Sequence, residues 1–347
     1  MAFDGVKVRI AWITDRGLPH RWYHRYYMRL SDAGVMRYRN LIREMRAFDP
    51  ELEHELYRSG VRYDLIVVLK CITDEVRTAC EVERARGVRM VFDANVNYYS
   101  VWGDFPVPGT CPTQRQQENA IALTSIAAGV VADSSFIAEE CRRYNARVVH
   151  IPDNVNLEIF PHPRRHDQRE KITLVWSGIS QKAFHLSLIE PVLHRCADQM
   201  RLWLVSNNDK YPECVQRISS FLEMRHFDFT LEHYAKLLTQ SDIIISPKVL
   251  NNSYELGHSE YKITLGMAAG LPAVASPQRS YVEAVGHHGG GFICADEMQW
   301  QEALERLAAD ADMRDRLGVE ARKTVEERYS STVVARQYRD FLREVLG

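Results

Sequence analysis

The chain has 347 residues, enough for about two domains, because a single hydrophobic core seldom grows beyond roughly 250 residues. Its 44 Lys and Arg residues balance 46 Asp and Glu residues, so net charge favours no class of partner. Seven cysteines without a C-x-x-C pair are typical of a reducing cytosol, and no apolar run approaches the ~18 residues of a membrane span. We therefore expect a cytoplasmic protein without a transmembrane segment.

Strands and helices alternate in the first half of the sequence. Apolar runs predict buried strands at residues 6–14, 63–69, 88–93 and 129–135. The segments between them predict helices near residues 74–86, 113–128 and 136–144. This alternation is typical of a parallel sheet with helices on both faces.

A basic and aromatic segment at residues 16–46 interrupts the alternation. It holds eight arginines against two acidic residues, and Trp22, Tyr26 and Arg29 recur at helical spacing. One interpretation is an amphipathic helix whose arginines are solvated. The other is a surface for an anionic partner, either a lipid carrier, a phospholipid or a nucleic acid. A lipid partner would place the protein at the inner face of a membrane.

The second half repeats the alternation. Strands are predicted at residues 172–178, 201–206 and 242–247, and helices from about residue 182 to about 196 and at 231–240. Closing helices are predicted near residues 300–307, 312–328 and 331–346.

Residues 256–276 form the most informative stretch. A helix is predicted from a candidate N-cap at Ser259 to Gly270, because apolar residues recur at helical spacing and Pro272 prevents continuation. The small apolar residues at 273–276 predict a buried parallel strand. Lys262 falls in the first helical turn, where N–H groups and an ammonium together favour a bound phosphate.

This stretch resembles the donor-site signature of the retaining glycosyltransferases of family four, the group 1 glycosyl transferases. The shared features are Lys262, the run Met-Ala-Ala-Gly-Leu-Pro-Ala-Val-Ala-Ser at residues 267–276, and Glu-Ala-Val at 283–285. The resemblance implies the α/β fold called GT-B, in which two Rossmann-like domains face each other across a cleft. It also implies an acceptor-binding domain at 1–152, a donor-binding domain at 153–330, and a C-terminal helix at about 331–347 that packs back on the first domain.

The resemblance further implies transfer of a sugar from a nucleotide sugar, UDP- or GDP-linked, to an acceptor. Transfer would retain the anomeric configuration and require no metal ion or other cofactor. The implied donor-binding residues are Gly178, Lys182, Ser206, Asn207, Gly257, His258, Ser259, Glu260 and Lys262. The implied acceptor-side residues are Arg16, Asn95 and Asn97. The candidates for a catalytic role are Lys262, Lys182, Asp93 and His20.

Three of these residues have a plainer interpretation as well. Lys182 also fits a solvated lysine at a helix start. Asp93 fits a residue that caps the end of a strand, and His20 fits an ordinary loop histidine. The sequence leaves both interpretations of each residue open.

The sequence departs from the family pattern at three positions of the donor site. Ile179 replaces an arginine of the glycine turn, and Gly257 and Leu265 stand where many members carry glutamates. Glu255 and Glu260 either substitute from a shifted loop or are solvated or capping residues. These departures motivate an alternative, a degenerate protein that binds a sugar nucleotide or a protein partner without turnover. A sugar-nucleotide epimerase is a further alternative, against which the donor signature argues.

Overall fold

The computed structural model describes residues 7–15, 17–18 and 34–347. This part of the chain divides into two compact units. Unit 1 contains the described residues up to Asn154 together with Asn252–Ser259 and Ser330–Gly347, and unit 2 contains Val155–Asn251 and Glu260–Tyr329. The chain therefore passes from one unit to the other four times.

The strands of the described chain, in order, are β1 (Val8–Ile13), β2 (Leu52–Leu56), β3 (Leu65–Leu69), β4 (Arg89–Ala94), β5 (Gly129–Ala132), β6 (Val148–His150), β7 (Ile172–Ser177), β8 (Met200–Ser206), β9 (Glu223–Asp228), β10 (Ile243–Ser246), β11 (Ala273–Ala275) and β12 (Gly291–Ile293). The α-helices are α1 (Leu41–Phe48), α2 (Asp74–Ala85), α3 (Gln114–Ile126), α4 (Ser135–Cys141), α5 (Glu190–Arg195), α6 (Glu213–Ser219), α7 (Leu231–Leu238), α8 (Ser253–Leu256), α9 (Tyr261–Ala268), α10 (Arg279–Gly286), α11 (Glu297–Ala309), α12 (Ala311–Thr324) and α13 (Ser331–Leu346). Short 3₁₀ helices span Leu157–Ile159 and Ser180–Ile189, and π-helical segments span Gly34–Asn40 and Val325–Tyr329.

Unit 1 is built on a parallel sheet with the strand order β2-β1-β3-β4-β5-β6. All five residues of β3, Leu-Ile-Val-Val-Leu, are buried, as expected of a parallel sheet that helices cover on both faces. The predicted strands at 6–14, 63–69, 88–93 and 129–135 are confirmed as β1, β3, β4 and β5.

The last helix, α13, completes the core of unit 1. Tyr338 stacks on Trp12 of β1 with ring centroids 5.6 Å apart. Phe341 is buried in the same core. Near the end of the helix, Arg343 pairs with both carboxylate oxygens of Asp49, at 2.6 and 3.0 Å. The end of the chain thus packs against elements from its beginning.

Unit 2 is built on a second parallel sheet with the strand order β12-β11-β10-β7-β8-β9. From β7 the chain builds outward through β8 and β9, and it then returns to β10 on the other side of β7. This reversal makes β7 and β10 the topological switch point, where ligands of α/β proteins usually bind at the carboxyl ends of the strands. The predicted strands at 172–178, 201–206, 242–247 and 273–276 are confirmed as β7, β8, β10 and β11.

Two glycines shape α9, one at its end and one where it packs on the sheet. Gly270 has a φ of +83°, its N–H donates to the Met267 carbonyl (3.0 Å), and the Leu271 N–H donates to the Gly266 carbonyl (3.0 Å). These two bonds form a Schellman motif, in which glycine is favoured because φ is positive. Gly266 allows close packing on β10, since a Cβ there would lie 2.6 Å from the Ile244 Cβ. The predicted helix end at Gly270 is confirmed.

Two local predictions are wrong. Ser259 is not the N-cap of α9, because Glu260 holds that position and the Ser259 hydroxyl donates to Asp153 Oδ2 in unit 1 (2.7 Å). The helix predicted from about residue 182 to about 196 begins instead as the 3₁₀ helix Ser180–Ile189. It becomes α-helical at α5, whose first turn contains Pro191, a residue favoured there because it needs no N–H partner.

None of the helices within the described ranges is long and apolar enough to cross a bilayer. The seven cysteines, all within those ranges, are free thiols, and Cys111 is the exposed one.

Candidate functional site

Lys262 and Gly178 converge at the switch point of unit 2. Gly178 follows β7 directly, and Lys262 lies in the first turn of α9. The Lys262 Nζ lies 5.0 Å from the ring centroid of the buried Trp176, close enough for a cation–π contact. A Cβ placed on Gly178 would be 3.2 Å from that Nζ and 3.0 Å from the Trp176 ring. The glycine therefore makes room for an ammonium at the carboxyl end of β7.

The loop after β8 is tied to the loop after β7. Asn207 Oδ1 accepts a hydrogen bond from the Ser180 N–H (3.0 Å), and the Ser180 hydroxyl donates to Asn208 Oδ1 (2.8 Å). The buried Ser206 hydroxyl donates to the Asn208 carbonyl (2.5 Å). Asn207 is exposed, so its remaining polar atoms face solvent at this edge. The Gly178 N–H donates to the Val205 carbonyl (3.1 Å), so the predicted residues Gly178, Ser206 and Asn207 form one hydrogen-bonded rim at the ends of β7 and β8.

Lys182 and Ile179 lie at the start of the 3₁₀ helix on the same rim. The Lys182 N–H donates to the Ile179 carbonyl (2.9 Å), and the Lys182 side chain is half-buried. Ile179, at the position of the missing arginine, exposes 44% of its surface. The rim therefore presents an apolar side chain where the resemblance implies a cation.

Lys248 is a cation at this edge that the sequence analysis missed. It follows β10, it is buried, and its N–H donates to Ser276 Oγ at the end of β11 (2.8 Å). Its Nζ lies 5.3 Å from the ring centroid of Tyr281, whose hydroxyl accepts a hydrogen bond from Ser246 (3.0 Å). A lysine directly after a buried strand at the switch point was the signal that could have identified it.

Three residues predicted to bind the donor lie in unit 1. Gly257, His258 and Ser259 belong to the segment Asn252–Ser259. The Gly257 carbonyl accepts a hydrogen bond from the Ser134 hydroxyl (2.9 Å), and a Cβ on Gly257 would lie 2.9 Å from the Asn97 Cβ. His258 Nε2 lies 3.8 Å from Glu255 Oε2. These residues hold the segment within unit 1, and so does the bond between Ser259 and Asp153.

The solvated interpretation of Glu255 and Glu260 is wrong. Their exposed fractions are 3% and 1%, and Glu260 occupies the N-cap position of α9 without a capping hydrogen bond from its side chain. Leu265 is also buried, in the core of unit 2. A carboxylate at the position of Leu265 would therefore need a different local packing.

Asp93 belongs to a buried charge cluster in unit 1. Asp93 lies near the carboxyl end of β4, Asp133 directly follows β5, and Asp153 comes shortly after β6. The buried Arg37 places its Nε 3.2 Å from Asp153 Oδ1 and its Nη1 3.7 Å from Asp93 Oδ2. The Tyr338 hydroxyl donates to the same Asp93 oxygen (2.8 Å). Asp93 and Asp153 therefore share one guanidinium, and the charge of Asp133 also acts on it.

Burial controls the protonation of this cluster. Burial raises the pKa of Asp93 to about 6, even though Arg37 and the Tyr338 hydroxyl favour the charged form. Burial, together with the neighbouring Asp153 and Asp93, raises the pKa of Asp133 well above its usual range. Asp133 Oδ1 also has no hydrogen-bond partner. Burial and the two neighbouring carboxyl groups therefore favour the protonated form of Asp133.

The two asparagines predicted on the acceptor side have protein partners. Asn95 orients its amide nitrogen towards the Asp93 carbonyl and its oxygen towards Arg37 Nε, both at 3.3 Å. Asn97 is buried, and its Nδ2 donates to the Ser253 carbonyl (3.0 Å). Both side chains therefore contribute to the internal structure of unit 1.

Part of the basic segment lies outside the described residues, including Arg16, His20, Trp22, Tyr26 and Arg29. Of its described arginines, Arg37 is buried in the carboxylate cluster rather than solvated, and the Arg46 guanidinium donates to the His54 carbonyl (3.0 Å).

Comparison with known proteins connects unit 2 to a family. Residues 172–310 match the family model described as Glycosyl transferases group 1. The matched stretch covers most of unit 2 and the segment Asn252–Ser259 of unit 1. The match covers the rim and α9, and it supports the resemblance carried by Lys262 and residues 267–276. A search among curated proteins finds no match to the chain.

Solved structures resemble the whole chain. Sucrose-phosphate synthase from Thermosynechococcus elongatus aligns with a TM-score of 0.68 at 15% identity, covering 98% of this chain and 99% of that one. HepE from Anabaena, in complex with UDP and glucose, aligns with a TM-score of 0.68 at 11% identity, covering 97% and 99%. A glycosyltransferase from Rickettsia africae ESF-5 aligns with a TM-score of 0.65 at 15% identity, covering 99% of each chain. The predicted α/β fold of the GT-B type is confirmed.

Proposed function

We propose that this protein is a glycosyltransferase that takes its sugar from a nucleotide-sugar donor bound by unit 2. The observation that carries the proposal is the position of Lys262, whose ammonium lies against the Gly178 turn at the switch point. Lysine ammonium groups and helix N-termini at such an edge suit a diphosphate. The match of residues 172–310 to group 1 glycosyl transferases and the UDP complex of HepE support a nucleotide-sugar donor, UDP- or GDP-linked.

The proposed chemistry depends on stabilising the departing nucleoside diphosphate. Lys262 and Lys182 would neutralise its charge, and the N–H groups around Gly178 would add hydrogen bonds. Lys248, buried at the same edge, would supply a cation where Ile179 replaces the arginine. Ser206, Asn207 and Glu260 are the remaining donor-side candidates in unit 2. As the leaving group departs, positive charge develops on the sugar ring.

We further propose that transfer retains the anomeric configuration and requires no metal ion. A donor phosphate oxygen would accept the proton of the acceptor, so that no carboxylate nucleophile is needed. This part of the proposal rests on the resemblance of residues 262–285 to retaining enzymes. Product analysis by NMR would identify the anomer, and activity in the presence of a chelator would test the metal requirement.

On this proposal, unit 1 binds the acceptor in the cytoplasm. Arg16, His20 and the loop at residues 93–99 remain the acceptor-side candidates, and the basic segment 16–46 would bind an anionic acceptor at the inner membrane face. Reversing the charges of Arg25 and Arg29 should weaken binding to anionic vesicles, with less effect at high salt, where screening already weakens it. Unchanged vesicle binding would remove the anionic acceptor from the proposal.

A second candidate function is binding of a sugar nucleotide without turnover. Two positions favour it. Leu265 is buried, and a Cβ on Gly257 would lie only 2.9 Å from the Asn97 Cβ. Both positions therefore exclude the glutamates that many family members carry, unless the local packing changes. Donor binding without any sugar release would favour this candidate.

A donor screen tests both candidates. UDP-, GDP- and dTDP-sugars are added with a chelator, and thermal midpoint and donor hydrolysis are measured for the wild type, Lys262→Ala and the control Lys236→Ala. Lys236 is an exposed lysine of α7 in the same unit. We expect one donor to stabilise the wild type and the control and to be hydrolysed slowly, with both effects lost in Lys262→Ala. If no nucleotide stabilises the wild type, the donor site is wrong.

A further inference from the structure

His287, His288 and Glu327 form a compact group of metal-ligating side chains in unit 2. The His288 Nε2 lies 2.6 Å and the His287 Nε2 lies 3.4 Å from the same oxygen, Glu327 Oε2. The two imidazole rings lie with centroids 4.3 Å apart. An ordinary ion pair involves one imidazole. Here each of two imidazoles directs its Nε2 to the same carboxylate oxygen.

This group lies at the sheet edge opposite the candidate donor site. Helix α10 begins after the carboxyl end of β11, and His287 and His288 follow its last residue, directly before β12 begins at Gly291. The strands are parallel, so the end of α10 and the start of β12 lie at the amino edge of the sheet. The Gly178 turn and Lys262 lie at the carboxyl edge. The group is therefore separate from the proposed transfer chemistry.

The backbone holds the two histidines in a fixed position. The Gly289 φ is +75°, and its N–H donates to the Val285 carbonyl (3.1 Å). A Cβ on Gly290 would lie 2.5 Å from the Ala321 Cα of α12, which shows how closely the turn packs on that helix. Glu327 comes from the π-helical segment Val325–Tyr329 that continues α12. Ligands on packed elements are arranged in advance of binding.

We propose that His287, His288 and Glu327 bind a divalent transition-metal ion of the zinc class, with water completing the coordination. Two imidazole nitrogens and one carboxylate oxygen are a ligand set that Zn²⁺ accepts in tetrahedral geometry. The three ligand atoms all lie within 4.8 Å of one another, so one ion can contact all of them. The bound ion would join the turn between α10 and β12 to the segment Val325–Tyr329, so its role is structural.

The group is open to solvent. All three side chains are partly exposed, with side-chain exposures of 34%, 21% and 47% for His287, His288 and Glu327, so an ion can reach them from solvent.

The test is calorimetric titration of the full chain, freed of any histidine tag, with Zn²⁺ alone. We expect the wild type to bind one equivalent, and His288→Ala and Glu327→Gln each to weaken binding at least about tenfold. The control His162→Ala removes an exposed histidine of the same unit outside the group and should bind like the wild type. Circular dichroism of the metal-free variants establishes that they are folded.

Substitution with Co²⁺ identifies the ligands by absorption spectroscopy. Nitrogen and oxygen ligands give weak visible bands that should disappear in His288→Ala. Intense charge-transfer bands would assign the ion to cysteine thiolates and overturn the proposal. Equal Zn²⁺ affinity in the wild type and both variants, or no binding by the wild type, would overturn it as well.

Discussion

At the scale of single residues, Gly178 determines how near an ammonium can come to the carboxyl end of β7. In Gly178→Ala the new methyl group would lie 3.0 Å from the Trp176 ring and 3.2 Å from Lys262 Nζ. Overpacking of this kind costs about 1–3 kcal/mol. We expect a loss of unfolding free energy in that range and weaker binding of the donor nucleotide, measured by urea unfolding and by calorimetry.

The control for this substitution is Gly286→Ala. A Cβ on Gly286 meets nothing within 4 Å, and the residue ends α10 in helical conformation. Alanine is favoured over glycine in helices by up to about 1 kcal/mol, so stability should be unchanged or slightly higher. Equal nucleotide affinity in both glycine variants would show that Gly178 has no role in donor binding.

Asp133 permits a prediction about pH. Its folded-state pKa is raised, so the folded protein binds the proton more tightly than the unfolded chain, and stability falls as pH rises. In Asp133→Asn this decrease is absent, because asparagine stays neutral. We expect the variant to be more stable than the wild type by about 1–3 kcal/mol at pH 8, and the difference to shrink as the pH falls towards the ordinary aspartate pKa of about 4.

Urea unfolding between about pH 4 and pH 8 measures this difference. The decrease that remains below pH 6 in the variant belongs to Asp93, whose pKa is about 6. Asp198→Asn, which changes an exposed aspartate, should leave the pH dependence as in the wild type. A parallel pH dependence in Asp133→Asn and the wild type would mean that Asp133 is ionised in the folded protein.

The sequence identified some of these residues and missed others for a physical reason. Lys262 and Gly178 were predicted because each follows from a local pattern, a helix start and a strand end. Arg37 and Asp133 were not, since their roles depend on a meeting of segments about a hundred residues apart. Lys248 was also missed. A lysine after a strand is expected to be solvated, and only the structure shows its contact with the Tyr281 ring.

At the scale of elements, the packing of α9 on β10 positions Lys262. Gly266→Ala would place a methyl group 2.6 Å from the Ile244 Cβ, which belongs to a strand and cannot rotate away. The helix must then move from the sheet. We expect a loss of about 1–3 kcal/mol in unfolding free energy and a weaker response to donor in the thermal-shift screen.

A stabilising effect of Gly266→Ala would contradict this prediction. Because alanine is intrinsically favoured in a helix, Gly266→Ala would be stabilising if the close approach to Ile244 were unimportant. A raised thermal midpoint together with normal donor binding would therefore contradict the packing argument.

Elements with strong local signals were predicted well. The apolar strands β3, β7 and β10 and the helix stop at Gly270 are encoded within a few residues. The edge strand β2, Leu-Glu-His-Glu-Leu, was missed. Its alternation of apolar with charged residues is short and fits either a strand or a helix at the surface. Its assignment depends on pairing with β1, which is a long-range contact.

At the scale of the whole molecule, the order of the chain does not follow the order of the units. Asn252–Ser259 lies between β10 and α9 in sequence but belongs to unit 1. The contacts responsible are single hydrogen bonds, such as Ser134 to the Gly257 carbonyl and Asn97 to the Ser253 carbonyl. Each joins residues more than a hundred positions apart, and no periodicity in the sequence indicates such a pair.

The C-terminal helix gives the last prediction. Phe341 is buried in unit 1, and its ring fills the space beside Gly129 of β5, where a Cβ would lie 2.6 Å from the Phe341 Cζ. Phe341→Ala leaves a cavity that the backbone of β5 cannot close, and such changes cost about 3–5 kcal/mol.

Gln337→Ala, an exposed change on the same helix, should cost less than about 0.5 kcal/mol. Urea unfolding should therefore show a destabilised transition in Phe341→Ala, with amide exchange increased in α13, β4 and β5. Wild-type stability in this variant would mean that unit 1 folds without the end of the chain, and the helix would then be an addition to the fold rather than part of its core.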